Sequence, residues 1–161
     1  MTIREMEKMH PLVSVVVPIY NMEAVIETTL LDIICQEAIC PKIIAVDDGS
    51  AGRSAGIISS NLKDYPGRGR LVYLRRNLGA SIARNAGIDA AKGKYVFFID
   101  GDDRLSEKTL ANLLALAENY GADVAFAGFR TCGPSLRGER LMPGKTLLPV
   151  PTTPERCFTA T

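Results

Sequence analysis

Three short apolar runs, rich in β-branched and aromatic residues, constrain the fold of this chain most. They occupy residues 12–17, 42–46 and 95–99. Each run is shorter than an ordinary helix, and an apolar run without polar alternation is typical of a strand that is buried on both faces. The first run ends at Pro18, and the other two end directly on carboxylates. Together the runs predict a parallel sheet that is covered on both sides.

Segments with helical spacing of apolar residues separate these runs. Strands that alternate with helices through short links form right-handed βαβ units. The sequence therefore predicts an α/β fold with a mostly parallel sheet and helices on both faces. Further strands are expected at 70–75 and 123–129. Helices are expected at 22–36, 53–63, 80–91 and around 110–117.

Length and composition place the chain among ordinary globular domains. We divide its 161 residues into a polar lead-in (1–10), a main domain (11–129) and a basic tail rich in proline and glycine (130–161). A net charge of +1 gives no argument for a nucleic-acid partner. The four cysteines lack Cys-x-x-Cys spacing and there is one histidine, so we expect free thiols in a reducing cytosol and no zinc site. No apolar run approaches the roughly 20 residues of a membrane helix.

Acidic residues follow two of the predicted strands at the point where each strand ends. Asp47 and Asp48 follow the second run, and Asp100, Asp102 and Asp103 follow the third. The carboxyl ends of parallel strands meet at one edge of the sheet, where ligands bind in open α/β folds. Crowded carboxylates repel each other unless a cation or hydrogen-bond donors offset their charge. Such oxygen ligands suit Mg²⁺ or Mn²⁺, although an isolated motif of this kind could also be a solvated turn that caps a helix.

The predicted helix at 80–91 carries two residues of interest. Arg84 lies in its first turns, and both a helix N-terminus and a guanidinium group favour a phosphate. Gly87 costs about 1 kcal/mol relative to alanine inside a helix, so it indicates close packing or the close approach of a ligand. Gly93 stands where a helix-ending glycine is expected.

Four motifs occur in a recognisable order along the chain. They are Val-Val-Val-Pro-Ile-Tyr-Asn at 15–21, Val-Asp-Asp-Gly-Ser at 46–50, Asn-x-Gly-x-x-x-Ala-Arg-Asn-x-Gly at 77–87 and Phe-Ile-Asp-Gly-Asp-Asp at 98–103. In this order they resemble the inverting family 2 glycosyltransferases with the Rossmann-like GT-A fold, over residues 11–129. The resemblance implies a nucleotide-sugar donor, most often a UDP-sugar. It also implies transfer to a glycan or lipid-linked acceptor in polysaccharide or cell-envelope biosynthesis.

The resemblance implies a donor site and a metal site. The donor-binding residues would be Pro18, Tyr20, Glu23, Asp47, Asp48, Arg84, Asp100 and Gly101. The metal ligands would be Asp102 with Asp100 and Asp103. Within the donor site Asp48 would hold the uracil with Asp47 supporting it, and Asp102 would bind the Mg²⁺ or Mn²⁺ that bridges the diphosphate. A cytoplasmic location is expected, and the resemblance also allows peripheral attachment at the inner face of the membrane.

The chain departs from the family's pattern in two places. The family supplies a general base as an aspartate well after the metal motif, but no aspartate follows Asp123. Ala51-Gly52 stands where the family commonly has Thr-Asp. We therefore expect a GT-A fold that is truncated after its donor-binding half, with no catalytic base assigned. An incomplete fold exposes a sheet edge and apolar surface, which predicts self-association or a second chain that completes the fold.

Other classes of protein fit the motifs less fully. A non-catalytic nucleotide- or metal-binding module, or a truncated inactive fragment, would bind the donor without turnover. A phosphohydrolase resembling the haloacid dehalogenase-like enzymes would use Asp100 and Asp102 as nucleophile and acid, but it usually carries that motif on its first strand. A Rossmann dehydrogenase would need Gly-x-Gly-x-x-Gly, which the chain lacks.

Overall fold

The structure is a computed structural model that describes residues 12–128 and the backbone of three further strands. The four helices of this part are at most 12 residues long, and none is long and apolar enough to cross a membrane. The helices are α1 (Ile26–Ile34), α2 (Ser54–Asp64), α3 (Ala80–Ala90) and α4 (Thr109–Tyr120). The strands are β1 (Val13–Ile19), β2 (Lys42–Asp47), β3 (Gly69–Tyr73), β4 (Tyr95–Phe98), β5 (Val124–Phe126), β6 (Arg130–Thr131), β7 (Arg140–Leu141) and β8 (Arg156–Thr159).

Six strands form one sheet in the order β3-β2-β1-β4-β8-β5, and every pairing within it is parallel. The register places Ile19 of β1 opposite Asp47 of β2, and Val16 opposite Phe98 of β4. The carboxyl ends of these strands therefore meet at one edge, as the sequence predicted. The predicted α/β fold with a parallel sheet is confirmed.

Strand β8 is the main difference from the sequence-based expectation. It lies between β4 and β5 in the large sheet, whereas β6 and β7 form a separate antiparallel pair. The proline- and glycine-rich tail gave no pattern that indicated a strand at 156–159. The domain division at residue 129 stays a prediction, but the main sheet takes one strand from beyond it. The lead-in at 1–10 lies outside the described residues.

Both faces of the sheet are covered, because the side chains of β1 alternate between two apolar clusters. Val15, Val17 and Ile19 pack with α1, α2 and α4 on one face. Val16 packs with α3 on the other face, and every residue of β1 is buried. This two-sided burial is the physical reason why the strand reads as a continuous apolar run.

Gly87 allows α3 to lie directly on the central strand. A Cβ at this position would lie 2.2 Å from Cγ1 of Val16, so close packing and not a ligand explains the glycine. The prediction that Gly93 ends the helix is wrong. The helix ends at Ala90 and Gly93 does not have a positive φ angle. Gly93 instead passes close to β1, where a Cβ would lie 2.7 Å from the backbone nitrogen of Ser14.

Alanine at Gly87 is expected to lower the free energy of unfolding by about 1–3 kcal/mol, because the overlap with Val16 outweighs the gain in helix propensity. Gly56 in α2 is the matched control, since it is exposed and a Cβ there meets no atom within 4 Å. Gly56→Ala should raise the free energy of unfolding by about 0.5–1 kcal/mol. Urea denaturation of both variants measures the difference, and equal effects would contradict the packing argument.

Candidate functional site

A cleft opens at the carboxyl edge of the sheet, between the ends of β1, β2 and β4 and the start of α3. Its volume is about 410 Å³, which lies in the range of ordinary ligand sites. The structure brings six of the predicted site residues to its walls. They are Pro18, Tyr20, Asp48, Arg84, Asp100 and Asp102. The other residues that line the cleft are Ile19, Met22, Asn77, Gly79, Ala80 and Ala83.

Asp48 joins the end of β2 to the loop that leads into α3. Its side chain is buried, with 3% of the residue exposed. One carboxylate oxygen accepts a hydrogen bond from the N–H of Leu78 and the other from the N–H of Gly79, both at 2.8 Å. A carboxylate offers about four acceptor sites, so two remain for a ligand. Asp48 thus shapes the cleft wall and still presents acceptor capacity to it.

Asp47 is buried but does not line the cleft. One of its carboxylate oxygens accepts a hydrogen bond of 3.0 Å from the N–H of Ser50, which closes the turn after β2. The Ser50 hydroxyl in turn accepts from the N–H of Asn21 after β1. Gly49, which precedes Ser50 in this turn, has a φ angle of +73°, and a Cβ there would lie 2.5 Å from the carbonyl carbon of Arg76. The turn therefore requires glycine and holds two strand ends together.

Glu23 lies outside the cleft, unlike most of the predicted donor-binding residues. Hydrogen bonds from its own backbone N–H, from the Ser54 hydroxyl and from the N–H groups of Arg53 and Ser54 lower the pKa of the Glu23 carboxyl. The carboxylate thus accepts hydrogen bonds at the N-terminus of α2, where the N-cap residue itself provides no side-chain cap. A Cβ at Gly52 would overlap this carboxylate, so the departure at Ala51-Gly52 makes room for Glu23.

Arg84 and Asp100 form an ion pair in the cleft. The guanidinium Nη2 donates to a carboxylate oxygen of Asp100 at 2.5 Å. Both side chains keep substantial exposure, 36% for Arg84 and 48% for Asp100. The pair brings positive charge from the first turns of α3 to the acidic end of β4. It therefore offsets part of the repulsion among the carboxylates that follow this strand.

The acidic loop after β4 places its carboxylates in different surroundings. Asp102 is exposed and lines the cleft. Asp103 is not part of the lining. Although the residue as a whole is exposed, partial burial of its carboxyl and the charges of Asp100 and Asp102 raise its pKa. Gly101 is buried beneath them, where a Cβ would lie 2.6 Å from the sulfur of Met22.

A divalent cation fits these residues when a ligand supplies further oxygens. Among the side chains that the structure describes, no group of three or more histidine, cysteine, aspartate or glutamate residues is arranged to hold a metal. Mg²⁺, however, commonly binds one or two carboxylates together with substrate phosphates. The exposed carboxylate of Asp102, next to crowded negative charge, is a donor set of that kind.

The sequence-based prediction missed half of the cleft lining. Asn77 and Gly79 belong to the third motif, so their place in it was a usable signal. Ala80 lies four positions before Arg84 and three before Ala83, so helical spacing brings each of these residues close to Ala80 at the start of α3. Ile19 and Met22 carry no chemical signal, and only their position at the end of β1 places them here.

A parallel sheet with acidic strand ends around a cleft at its carboxyl edge defines a Rossmann-like α/β domain. Its likeness to the solved structures described below makes it a domain of the GT-A kind. The chain belongs to glycosyl transferase family 2, whose family model matches residues 14–158. The family resemblance inferred from the four motifs is thereby confirmed.

Relatives and solved structures agree with this assignment. The chain is 40% identical over 121 residues to the uncharacterized glycosyltransferase EpsJ of Bacillus subtilis (75% of this chain, 35% of EpsJ). It is 34% identical over 115 residues to the succinoglycan biosynthesis protein ExoO of Rhizobium meliloti (71% of this chain, 32% of ExoO). The chain thus spans about a third of the length of these relatives.

Two solved structures share the fold and contain nucleotide sugars. S. aureus TarS (residues 1–349) in complex with UDP-GlcNAc matches with a TM-score of 0.67 and 27% identity, over 78% of this chain and 36% of that one. The mannosyltransferase PcManGT of Pyrobaculum calidifontis, in complex with GDP-Man and Mn²⁺, matches with a TM-score of 0.67 and 25% identity, over 75% and 36%.

Proposed function

We propose that this chain forms the donor-binding part of a glycosyltransferase and that its cleft binds a UDP-sugar together with Mg²⁺ or Mn²⁺. One observation carries the proposal: the ends of β2 and β4 and the start of α3 bring Asp48, Arg84, Asp100 and Asp102 into one cleft. TarS with UDP-GlcNAc and PcManGT with GDP-Man and Mn²⁺ support this ligand class.

In this proposal the cleft has a base end and a phosphate end. Pro18, Tyr20 and the spare acceptor sites of Asp48 receive the uracil and ribose, because they lie where β1 and β2 end. Arg84 and Asp100 lie at the phosphate end, where the guanidinium favours the diphosphate. Asp102 would hold the cation, which when bound neutralises the charge on the nucleoside diphosphate leaving group.

Transfer of the sugar needs further groups. We propose an inverting reaction, in which a general base takes the proton of the acceptor hydroxyl. Among the described residues, the carboxylates that line the cleft are Asp48, Asp100 and Asp102, and each of them has another role in this proposal.

The name of ExoO supports an acceptor in polysaccharide biosynthesis. We propose a glycan or lipid-linked acceptor, with a location in the cytoplasm or at the inner face of the membrane.

Calorimetric titration with UDP tests the proposal. UDP is expected to bind in EDTA, and 1 mM Mn²⁺ should strengthen binding by about a hundredfold or more, because Asp102 would hold a cation that neutralises the diphosphate. GDP and uridine serve as the controls for base and phosphate recognition. Equal UDP binding in EDTA and in Mn²⁺ would contradict the metal, and absence of UDP binding would contradict the donor class.

The alternative is a non-catalytic nucleotide- or metal-binding module, and one observation favours it: among the described residues, the cleft lining has no carboxylate besides Asp48, Asp100 and Asp102. It predicts metal-dependent binding of UDP-sugars without release of UDP. Incubation with a mixture of UDP-sugars and an assay for free UDP separates the two functions. Release of UDP above the rate without protein would favour the transferase.

A further inference from the structure

One face of α1, extended by Gln36 two positions beyond the helix, carries three polar residues that do not line the cleft. Thr29, Asp32 and Gln36 are spaced by three and four positions, which places them on one side of the helix and its end. Thr29 and Gln36 are buried. All three side chains hydrogen-bond with the segment from Gly101 to Leu110, which follows β4 and carries Asp102.

Thr29 holds the backbone on both sides of Asp102. Its hydroxyl oxygen lies 2.9 Å from the carbonyl oxygen of Gly101 and 2.9 Å from that of Asp103. A hydroxyl has one proton, so it donates to the two carbonyls in turn or shares the proton between them. The residue is 1% exposed, so water does not compete for these contacts. Asp102 is thus flanked by two anchored carbonyls.

Asp32 and Gln36 fix the rest of the segment. Asp32 receives two hydrogen bonds from the Arg104 guanidinium, at 2.6 and 3.1 Å, and one from the N–H of Leu105. Gln36 donates to the carbonyl of Ser106 at 2.8 Å and accepts from the N–H of Leu110 at 3.0 Å. That N–H belongs to the first turn of α4, which has no side-chain cap of its own.

We propose that this face of α1, with Thr29 as its central contact, positions Asp102 for metal-dependent binding of the nucleotide. The inference rests on the proposed function. A metal-binding carboxylate on an ordered loop loses little entropy when the cation binds. A carboxylate on a loose loop must be ordered at that moment. Thr29, Asp32 and Gln36 are therefore positioning residues, because they act through the loop and do not contact the nucleotide cleft.

Thr29→Val tests the proposal, because valine keeps the shape of the side chain and removes the hydroxyl. We expect the Mn²⁺-dependent gain in UDP affinity to fall by about tenfold, while UDP affinity in EDTA stays the same. Amide hydrogen exchange over residues 101–106 should become faster, and exchange in β2 and α2 should not change. Thr29→Ser retains the hydroxyl and should bind within about twofold of the parent protein.

Ser14→Ala is the matched control. Ser14 is also buried, and its hydroxyl accepts hydrogen bonds from the N–H groups of Lys92 and Gly93 at the opposite edge of the sheet. The Ser14→Ala variant should have a lower melting temperature and should keep the Mn²⁺-dependent gain in UDP affinity. The proposal is overturned if Thr29→Val keeps the full gain, or if Ser14→Ala loses as much of it.

The Mn²⁺ dependence of UDP binding in the parent protein separates this inference from the proposed function. If the parent protein binds UDP without any Mn²⁺ dependence, the proposed metal role fails and the positioning role fails with it. If the parent protein shows the Mn²⁺ dependence and Thr29→Val leaves both the gain and the exchange over 101–106 unchanged, only the positioning inference fails.

Discussion

Replacing Asp48 by alanine is expected to lower the free energy of unfolding by about 3–5 kcal/mol. The side chain is buried and its two oxygens are the acceptors for the N–H groups of Leu78 and Gly79. Hydrogen bonds to a charged group contribute about 1.5–3 kcal/mol each, and here two partly buried ones are lost together. Urea denaturation measures the change. A loss below about 1 kcal/mol would mean that the loop at 77–79 finds other partners.

Asp47→Ala is the matched control for this change. The two aspartates are adjacent, both are buried, and the substitution removes the same atoms. Asp47 accepts a backbone hydrogen bond from the N–H of Ser50, so we expect a cost of about 1–2 kcal/mol. Where the Asp48→Ala variant remains folded, it should bind both UDP and uridine more weakly, because we place Asp48 at the base end of the cleft. Weakening of UDP alone would instead place Asp48 with the phosphates.

Asp102→Asn should reduce the Mn²⁺-dependent part of UDP affinity by about a hundredfold. Partners that only orient a metal ligand already contribute about 10–100-fold, and a direct ligand should contribute at least as much. Asparagine retains the size of the side chain but loses its charge. The residue is exposed, so the melting temperature should change little. Titration with UDP in Mn²⁺ and in EDTA measures both parts of the affinity.

Asp89→Asn controls for the change in net charge. Asp89 lies on α3, is exposed, and is not part of the cleft lining. It should leave UDP affinity unchanged under both conditions. Equal losses in Asp102→Asn and Asp89→Asn would show a general electrostatic effect and would remove Asp102 from the metal site.

Glu23 shows why the sequence alone does not determine where the side chain of a predicted site residue points. Glu23 follows the first motif by two positions, and the family resemblance implied a place in the donor site. The structure instead directs its carboxylate to the start of α2, where Gly52 leaves the space. A local sequence pattern gives the strand end near which a residue lies, but a glutamate side chain has three rotatable bonds and can turn toward the cleft or toward the start of α2.

The same distinction applies to Gly87 and Gly93. Both glycines were recognisable as exceptions, since each disfavours the helix in or near which it lies. The sequence left open whether Gly87 served packing or a ligand, and it suggested a helix end for Gly93. The distances to Val16 and Ser14 show that both glycines allow close contact with β1. Such contacts join residues more than 70 positions apart, so no local pattern reports them.

The sequence by itself determined the alternation of strands and helices, the burial of the central strands, and the sheet edge at which the acidic residues gather. These features follow from local periodicity and from the geometry of parallel sheets. Tertiary structure alone decided which strand enters beside β4, which acidic side chains line the cleft, and that α1 holds the loop around Asp102. Those outcomes depend on hydrogen bonds and packing between distant segments, whose partners the chain's local pattern does not specify.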